Sequence, residues 1–142
     1  MFDLGQAIYR ATIAHNGQYD KAGEPYILHP LRVMLSFAPY HHDERIVAVM
    51  HDMMEDCAVT VDDLISWDVP QHIMQALVAL THPKNENYES YILRVRENEL
   101  ARTVKIADIH DNTSVERMIR LTRVDQVRLT KKYTNAVRLL GM

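Results

Sequence analysis

The sequence predicts an all-α, compact helical fold in a single domain over residues 1–142. Nearly half of the residues are hydrophobic (47%), whereas only four are glycine and 7% are aromatic. Apolar residues recur at helical spacing in most segments, and no segment alternates apolar and polar residues as a strand would. A chain of this length can bury about two thirds of the surface it exposes when unfolded, so one core is expected.

Two helices are predicted near the N-terminus. The first covers residues 3–15, where apolar residues recur every three or four positions, and it ends near His15 because a loop rich in glycine and proline follows. The second begins near Pro30, since proline is tolerated in the first turn of a helix, and Pro39 ends it.

Further helices are predicted in the middle of the chain. A third helix is expected to run without a break over residues 41–56, with Asp43 as its N-cap. One or two short helices follow within residues 59–80, because Thr60 and Asp63 can form a capping box and Pro70 can start a second helix.

The C-terminal part predicts three more helices, over residues 88–98, 99–114 and 123–140. Gly141 would end the last one. Its apolar residues could pack internally or against a second chain, so either a monomer or a homodimer is expected.

Composition excludes several classes of function. The formal net charge is −3, which predicts neither a nucleic-acid partner nor a polyanion-binding surface. The single cysteine, Cys57, excludes an intrachain disulfide and a zinc site with several thiolates, and it fits a cytoplasmic protein. No segment has the pattern of a signal peptide or of a membrane span.

The stretch VMHDMMEDC, residues 49–57, concentrates negative charge in an apolar run. On a continuous helix, His51 would lie over Glu55 and Asp52 over Asp56. No Lys or Arg lies between positions 45 and 84, and acids near a helix C-terminus oppose its dipole. The acidic residues therefore require a cation from elsewhere, unless they form a solvated helix end, as most charge runs do.

Two further positions favour a metal ion as the cation that these acidic residues require. Asp108 falls on an apolar stripe, and a buried ionised carboxylate without a partner costs several kcal/mol, so it should be paired or metal-bound. His15 falls on the core side of the first helix. With His51 and Asp52 they supply nitrogen and oxygen donors without sulfur, which suits manganese, iron, magnesium or zinc, and open coordination positions suit hydrolysis. Taken one at a time, each histidine is more often a structural residue than a metal ligand.

Three stretches together carry a family resemblance: HNGQYDKAGEPYILHP (15–30), VMHDMMEDC (49–57) and VKIADIHDN (104–112). In this order they resemble the HD-domain metal-dependent phosphohydrolases, specifically the RelA/SpoT hydrolase domain and the stand-alone small alarmone hydrolases. The long loop that ends in His-Pro is more specific than the His-Asp dipeptide.

The resemblance implies an HD-domain fold that binds one divalent metal ion, usually manganese, with iron, magnesium or zinc as alternatives. The implied metal ligands are His15, His51, Asp52 and Asp108. The pair Glu55 and Asp56 is implied to orient or activate the attacking water and to handle protons.

The resemblance also implies substrate contacts at Lys21, Lys105 and Asn112. The lysines could neutralise phosphate charge, although a solvated surface role is equally compatible with either one alone. His29 is interpreted as a residue that holds the loop near the metal helix rather than as a ligand.

The chain departs from the alarmone hydrolases at two places. Asp20, Lys21 and Ala22 stand where those proteins usually have Arg-Lys-Ser, and Asp111 replaces a residue that is commonly histidine or tyrosine.

The expected function is metal-dependent hydrolysis of guanosine 3′,5′-bis(diphosphate) or its pentaphosphate analogue, with release of pyrophosphate from the 3′ position. The alternative enzyme keeps the metal chemistry but acts on another nucleotide or a phosphorylated small molecule. A helical module that binds a ligand without turnover, or a purely structural protein, would not need the full set of metal and acid residues.

Overall fold

The computed structural model describes residues 1–141, which form ten α-helices and, within that range, no strand beyond one isolated bridge between Tyr19 and Pro25. The all-α prediction is confirmed. The first five helices are α1 (Leu4–Ala14), α2 (Leu28–Leu35), α3 (His42–Met50), α4 (Met53–Asp56) and α5 (Val61–Ser66). The other five are α6 (Gln71–Leu80), α7 (Tyr88–Arg96), α8 (Glu99–Asn112), α9 (Val115–Met118) and α10 (Arg123–Leu139).

The prediction of one continuous helix over residues 41–56 is wrong, because the helix breaks at His51 and Asp52. Nδ1 of His51 lies 2.6 Å from the carbonyl oxygen of Ala48. That carbonyl would accept the backbone N–H of Asp52 in a continued helix, so the side-chain bond competes with the helical one. Asp52 instead adopts φ −98° and ψ −2°, and α4 begins after it.

The N-cap prediction for this helix is also wrong. The cap position belongs to His41, and Asp43 lies in the first turn of α3. A carboxylate there still interacts favourably with the positive end of the helix dipole, and Asp43 accepts a hydrogen bond from His72 at 2.9 Å.

The local sequence accounts for the starts of α5 and α6. The capping box of α5 is confirmed: the Thr60 hydroxyl accepts from the backbone of Asp63 at 3.1 Å, and the Asp63 carboxylate accepts from the backbone of Thr60 at 2.8 Å. Pro70 occupies the cap position of α6, as its place in the sequence predicts.

Helix α8 lies at the centre of the fold and packs against α2, α3, α6, α7 and α10. The core includes the large buried side chains of Met50, Met53, Ile73, Leu77 and Ile92, together with Ile109 of α8 itself. Because α2 and α3 both pack on α8, residues at their ends meet the face of α8 that carries Asp108. The fold thus brings distant parts of the sequence to one site.

The last helix α10 is only partly covered. Ala136 and Leu140, beside its C-terminus, are buried, whereas Val124 and Val127 in its first turns are 76% and 59% exposed. Among residues 1–141 no helix is both long and apolar enough to cross a membrane.

Candidate metal centre and active site

Four side chains converge where α2, α3 and α8 meet. His29, His51 and Asp108 each offer one donor atom, and these atoms all lie within 4.8 Å of one another. Oδ2 of Asp52 lies 3.2 Å from Nε2 of His51 and 3.7 Å from Nε2 of His29. The group contains two imidazoles and two carboxylates, which is a donor set that divalent cations such as manganese, iron and zinc accept.

The break between α3 and α4 orients His51. Its Nδ1–H donates to the carbonyl oxygen of Ala48, so Nε2 faces Asp108 at 3.2 Å and carries the lone pair in the neutral ring. Burial alone would lower the pKa of His51, but the negative charges of Asp52 and Asp108 raise it to about 9. The site is therefore an electronegative pocket that favours a cation.

Asp108 is buried and both of its carboxylate oxygens accept hydrogen bonds, as its place on the apolar stripe predicts. Nζ of Lys105 donates to Oδ2 at 3.0 Å, and Nδ2 of Asn112 donates to Oδ1 at 3.2 Å. Burial raises the pKa of this carboxyl, but Lys105, His51 and His29 outweigh it and hold the pKa well below its usual range. Asp108 is thus ionised, which metal coordination requires.

His15 lies outside this group of donors, which corrects the ligand set expected from the sequence. Its ring is buried, and its Nδ1 lies 2.8 Å from Oε1 of Gln18 and 3.3 Å from Sγ of Cys57. The amide of Gln18 donates in turn to the backbone carbonyl of Asp56 at 3.2 Å. His15 therefore connects the first loop to the turn after α4, while His29 occupies the position among the donors.

Both histidines flank the same loop, so sequence spacing alone did not distinguish them. The bridge between Tyr19 and Pro25 folds this loop back on itself, and His29 enters the site from the first turn of α2. The signal that could have identified it is the His-Pro step itself, because Pro30 is tolerated in the first turn of a helix, which places His29 at the start of α2, and α2 packs on α8.

A cavity of about 180 Å³ opens over the donor group and is lined by Glu55, Asp56 and Lys105, among others. Oε1 of Glu55 accepts a hydrogen bond from the backbone N–H of His82 at 2.8 Å. Desolvation in the cavity, together with the charges of Asp52 and Glu55, raises the pKa of Asp56 to about 6. A carboxyl group with a pKa in this range can exchange protons near neutral pH.

A second cavity of about 880 Å³ adjoins the first and shares Tyr26, Asn112 and Tyr133 with it. Its lining includes both signs of charge: the cations are Lys21, Arg32, Arg117, Arg120 and Arg128, and the carboxylates are Asp20, Glu24, Asp111 and Glu116. Of the three expected substrate contacts, Lys105 thus lines the first cavity, Lys21 the second, and Asn112 both.

Tyr26 and Lys132 are among the residues at the site that were not expected from the sequence. The hydroxyl of Tyr26 donates to Oδ2 of Asp52 at 2.7 Å, and its ring lies 5.1 Å from the ring of His15. Lys132 reaches the first cavity from α10, with Nζ 4.4 Å from the centre of the Tyr88 ring. Tyr26 belongs to the HNGQYDKAGEPYILHP stretch, but Lys132 has no such motif around it.

Comparison with known proteins finds similar sequences that are described as guanosine-3′,5′-bis(diphosphate) 3′-pyrophosphohydrolases. A guanosine-3′,5′-bis(diphosphate) 3′-pyrophosphohydrolase of Aquifex aeolicus is 32% identical over 120 residues, which is 78% of this chain and 17% of that protein. The protein of the same description from Vibrio cholerae is 43% identical over 63 residues, which is 43% of this chain and 9% of that protein. The chain is a relative of the RelA/SpoT hydrolase domains.

A solved structure supports the fold of this RelA/SpoT relative. A metazoan orthologue of SpoT, described as hydrolysing ppGpp, superposes with a TM-score of 0.77 at 18% identity and covers 97% of this chain and 85% of its own. No family model matches the chain. The chain spans about a sixth of the Aquifex relative and about a tenth of the Vibrio relative.

Proposed function

We propose that this protein is a metal-dependent pyrophosphohydrolase of guanosine 3′,5′-bis(diphosphate) and its pentaphosphate analogue, and that it releases pyrophosphate from the 3′ position. The observation that carries the proposal is the convergence of His29, His51, Asp52 and Asp108 beneath a cavity that also holds Glu55 and Asp56. The names of the two bacterial relatives support the same substrate.

The proposed metal ligands are His29, His51, Asp52 and Asp108, and one divalent ion, manganese before iron, magnesium or zinc, would bind between them. When bound, such an ion lowers the pKa of a coordinated water and polarises a phosphoryl oxygen. The hydroxyl of Tyr26 holds Asp52 by its Oδ2 atom and so restricts how this carboxylate can turn.

Asp56 is the proposed proton-transfer group, because its raised pKa allows it to take a proton from water and return it to the leaving group. Glu55 also lines the cavity, and its bond to the backbone of His82 ties α4 to the segment after α6. Lys105 and Lys132 would neutralise charge on the phosphoryl groups, and Lys105 would do so beside Asp108.

The nucleoside and its 5′-diphosphate would occupy the second cavity. Its arginines come from α2, α9 and α10, apart from Arg120, which lies just after α9. Guanidinium groups bind phosphate through paired N–H donors. Arg32 and Arg117 are bonded to Asp111, so Arg120 and Arg128 are the guanidinium groups that would bind the diphosphate. Asn112 and Tyr133 lie at the junction of the two cavities, where the ribose would sit.

Another nucleotide or a phosphorylated small molecule is the alternative substrate, and the first loop favours it. The Asp20 carboxylate accepts the backbone N–H groups of Ala22 and Glu24 at 2.9 and 3.0 Å, so it shapes the loop itself. Ala22 offers no polar group, and the loop supplies no guanidinium to stack on a guanine base. With a net charge of −3, a small nucleotide rather than a nucleic acid is the proposed partner, and cytoplasmic location stays a prediction.

The test is product release from guanosine tetraphosphate, GTP and NADPH, each with Mn²⁺ or with chelator. Pyrophosphate from the tetraphosphate alone, only with Mn²⁺, is the expected result. Turnover of a different compound would replace the substrate and keep the metal chemistry. If Mn²⁺ binds but no compound in the panel or in a wider nucleotide set turns over, the hydrolase proposal is overturned.

A further inference from the structure

The imidazole of His29 lies between two carboxylates from the same helix. Nε2 lies 2.8 Å from Oδ1 of Asp108, and Nδ1 lies 2.6 Å from Oδ2 of Asp111. His29 is 3% exposed, so both contacts are shielded from bulk water. Asp108 belongs to the donor group described above, but Asp111 does not.

Helix periodicity produces this arrangement on both sides. Asp108 and Asp111 are three residues apart on α8, and His29 and Arg32 are three residues apart on α2, so each pair shares a helix face. The guanidinium of Arg32 donates two hydrogen bonds to the carboxylate of Asp111, from Nε to Oδ1 at 2.8 Å and from Nη2 to Oδ2 at 3.2 Å. Paired bonds of this kind fix the plane of the carboxylate.

A third helix adds a second cation. Nη1 of Arg117, on α9, lies 3.1 Å from Oδ2 of Asp111, donates to Oδ1 of Asn112 at 2.8 Å and lies 2.9 Å from Nδ1 of His29. A guanidinium only donates, and the two oxygens can take both N–H groups of Nη1, which leaves the Nδ1 proton of His29 to Asp111. Both guanidinium groups place positive charge against the carboxylate of Asp111. The oxygen Oδ2 that faces His29 is therefore held in place as a hydrogen-bond acceptor.

We propose that Asp111 is a positioning residue for the metal centre: it accepts the Nδ1 proton of His29 and thereby presents the Nε2 lone pair to the bound ion. The proposal rests on the metal site of the proposed function. It does not depend on which phosphorylated compound is the substrate.

The chemistry of imidazole gives the reason. A neutral ring has one N–H and one lone pair, so a ring that binds metal through Nε2 must carry its proton on Nδ1. An ionised carboxylate at Nδ1 favours that tautomer, fixes the ring and makes Nε2 a stronger donor. The carbonyl of Ala48 does the same for His51 as a neutral acceptor, so the charged acceptor should have the larger effect.

The test is Mn²⁺ binding by isothermal titration calorimetry to the wild-type protein and to Asp111→Asn, which preserves shape and removes the charge. We expect binding to weaken by about 10- to 100-fold. The matched control is Asp62→Asn, at an exposed position in the first turn of α5, which should leave Mn²⁺ binding unchanged. Far-UV circular dichroism of the metal-free proteins checks that each variant folds.

A second variant and a second readout keep the test decisive if Asp111→Asn folds poorly. Arg32→Gln leaves the carboxylate but removes its two-bond clamp, so it should weaken Mn²⁺ binding by a smaller factor. In the Zn²⁺-loaded protein, ¹⁵N NMR of the His29 ring should find the proton on Nδ1 in the wild type.

Mn²⁺ affinity equal to wild type in Asp111→Asn, or a His29 ring without a proton on Nδ1, would overturn the proposal. These outcomes are separable from failure of the proposed function. A wild-type protein that binds Mn²⁺ but does not cleave guanosine tetraphosphate would overturn the substrate and leave the role of Asp111 intact.

Discussion

Nδ1 of His51 donates to the carbonyl oxygen of Ala48 at 2.6 Å, three residues earlier in α3. This bond competes with the helical bond of Asp52 and directs the Nδ1 proton to Ala48, so Nε2 is the ring nitrogen that faces Asp108. The break in the helix thus orients a proposed metal ligand. The same interaction explains why a charged dipeptide is tolerated at the end of an apolar helix.

Metal binding should stabilise the folded protein. Mn²⁺ at about 100 times its dissociation constant contributes about 2.7 kcal/mol, which corresponds to a rise of roughly 10 °C in Tm for a chain of this size. Differential scanning fluorimetry with Mn²⁺ and with chelator measures it, and Asp52→Asn, which lacks one proposed ligand charge, should respond much less. Identical Tm values with Mn²⁺ and with chelator would contradict the metal site.

The two histidines that flank the first loop should behave differently on substitution. His29→Gln should weaken Mn²⁺ binding by more than about 100-fold, because it removes a proposed ligand and not a residue that only positions a ligand. His15→Gln should retain Mn²⁺ binding and lower the free energy of unfolding by about 1–3 kcal/mol, since Gln18 loses a buried partner. Calorimetric titration and urea unfolding measure the two effects, and a reversed order would restore His15 as the ligand.

Asp56→Asn should slow hydrolysis without affecting the metal. Loss of a proton-transfer group lowers kcat by about 10²- to 10⁴-fold, while Mn²⁺ affinity should stay at the wild-type level. Glu55→Gln, one position earlier, should lower kcat less, because its amide oxygen can still accept the backbone N–H of His82. Single-turnover kinetics with guanosine tetraphosphate would distinguish them, and full activity of Asp56→Asn would exclude it as the proton carrier.

Arg120→Gln should raise the KM for guanosine tetraphosphate by about 10-fold, the equivalent of one charged hydrogen bond of about 1.5 kcal/mol, with kcat little changed. Arg120 lines the second cavity. Arg123→Gln is the matched control, since Arg123 is exposed and lies outside the lining of that cavity. Equal KM values for the two variants would argue that the 5′-diphosphate binds elsewhere.

Most helix boundaries could be predicted because their causes are local. The capping box of Thr60 and Asp63, the prolines at positions 30 and 70, and the apolar spacing of α8 act over a few residues. The short α9 was not predicted, because four residues are too few to establish a period. The break at His51 depends on a side chain that bonds its own backbone, which hydrophobic spacing does not reveal.

The site was predicted less completely, for a physical reason. His51, Asp52 and Asp108 could be proposed as ligands because charge on an apolar surface requires compensation. The choice between His15 and His29 depends on how α2 packs on α8, which is a tertiary contact. Tyr26 reaches the site from the loop before α2, and Lys132 reaches it from α10, which packs on α7 and α8.

Helix α8 carries Lys105, Asp108, Asp111 and Asn112 within eight consecutive positions, and each depends on angular register. One inserted residue between Asp108 and Asp111 would turn everything after it by about 100°, so Asp111 would leave His29 and Asn112 would leave Asp108. An insertion or deletion between these positions of α8 should therefore abolish the site, even where every side chain is retained. The segment from 119 to 122, between α9 and α10, can change length without disturbing that register.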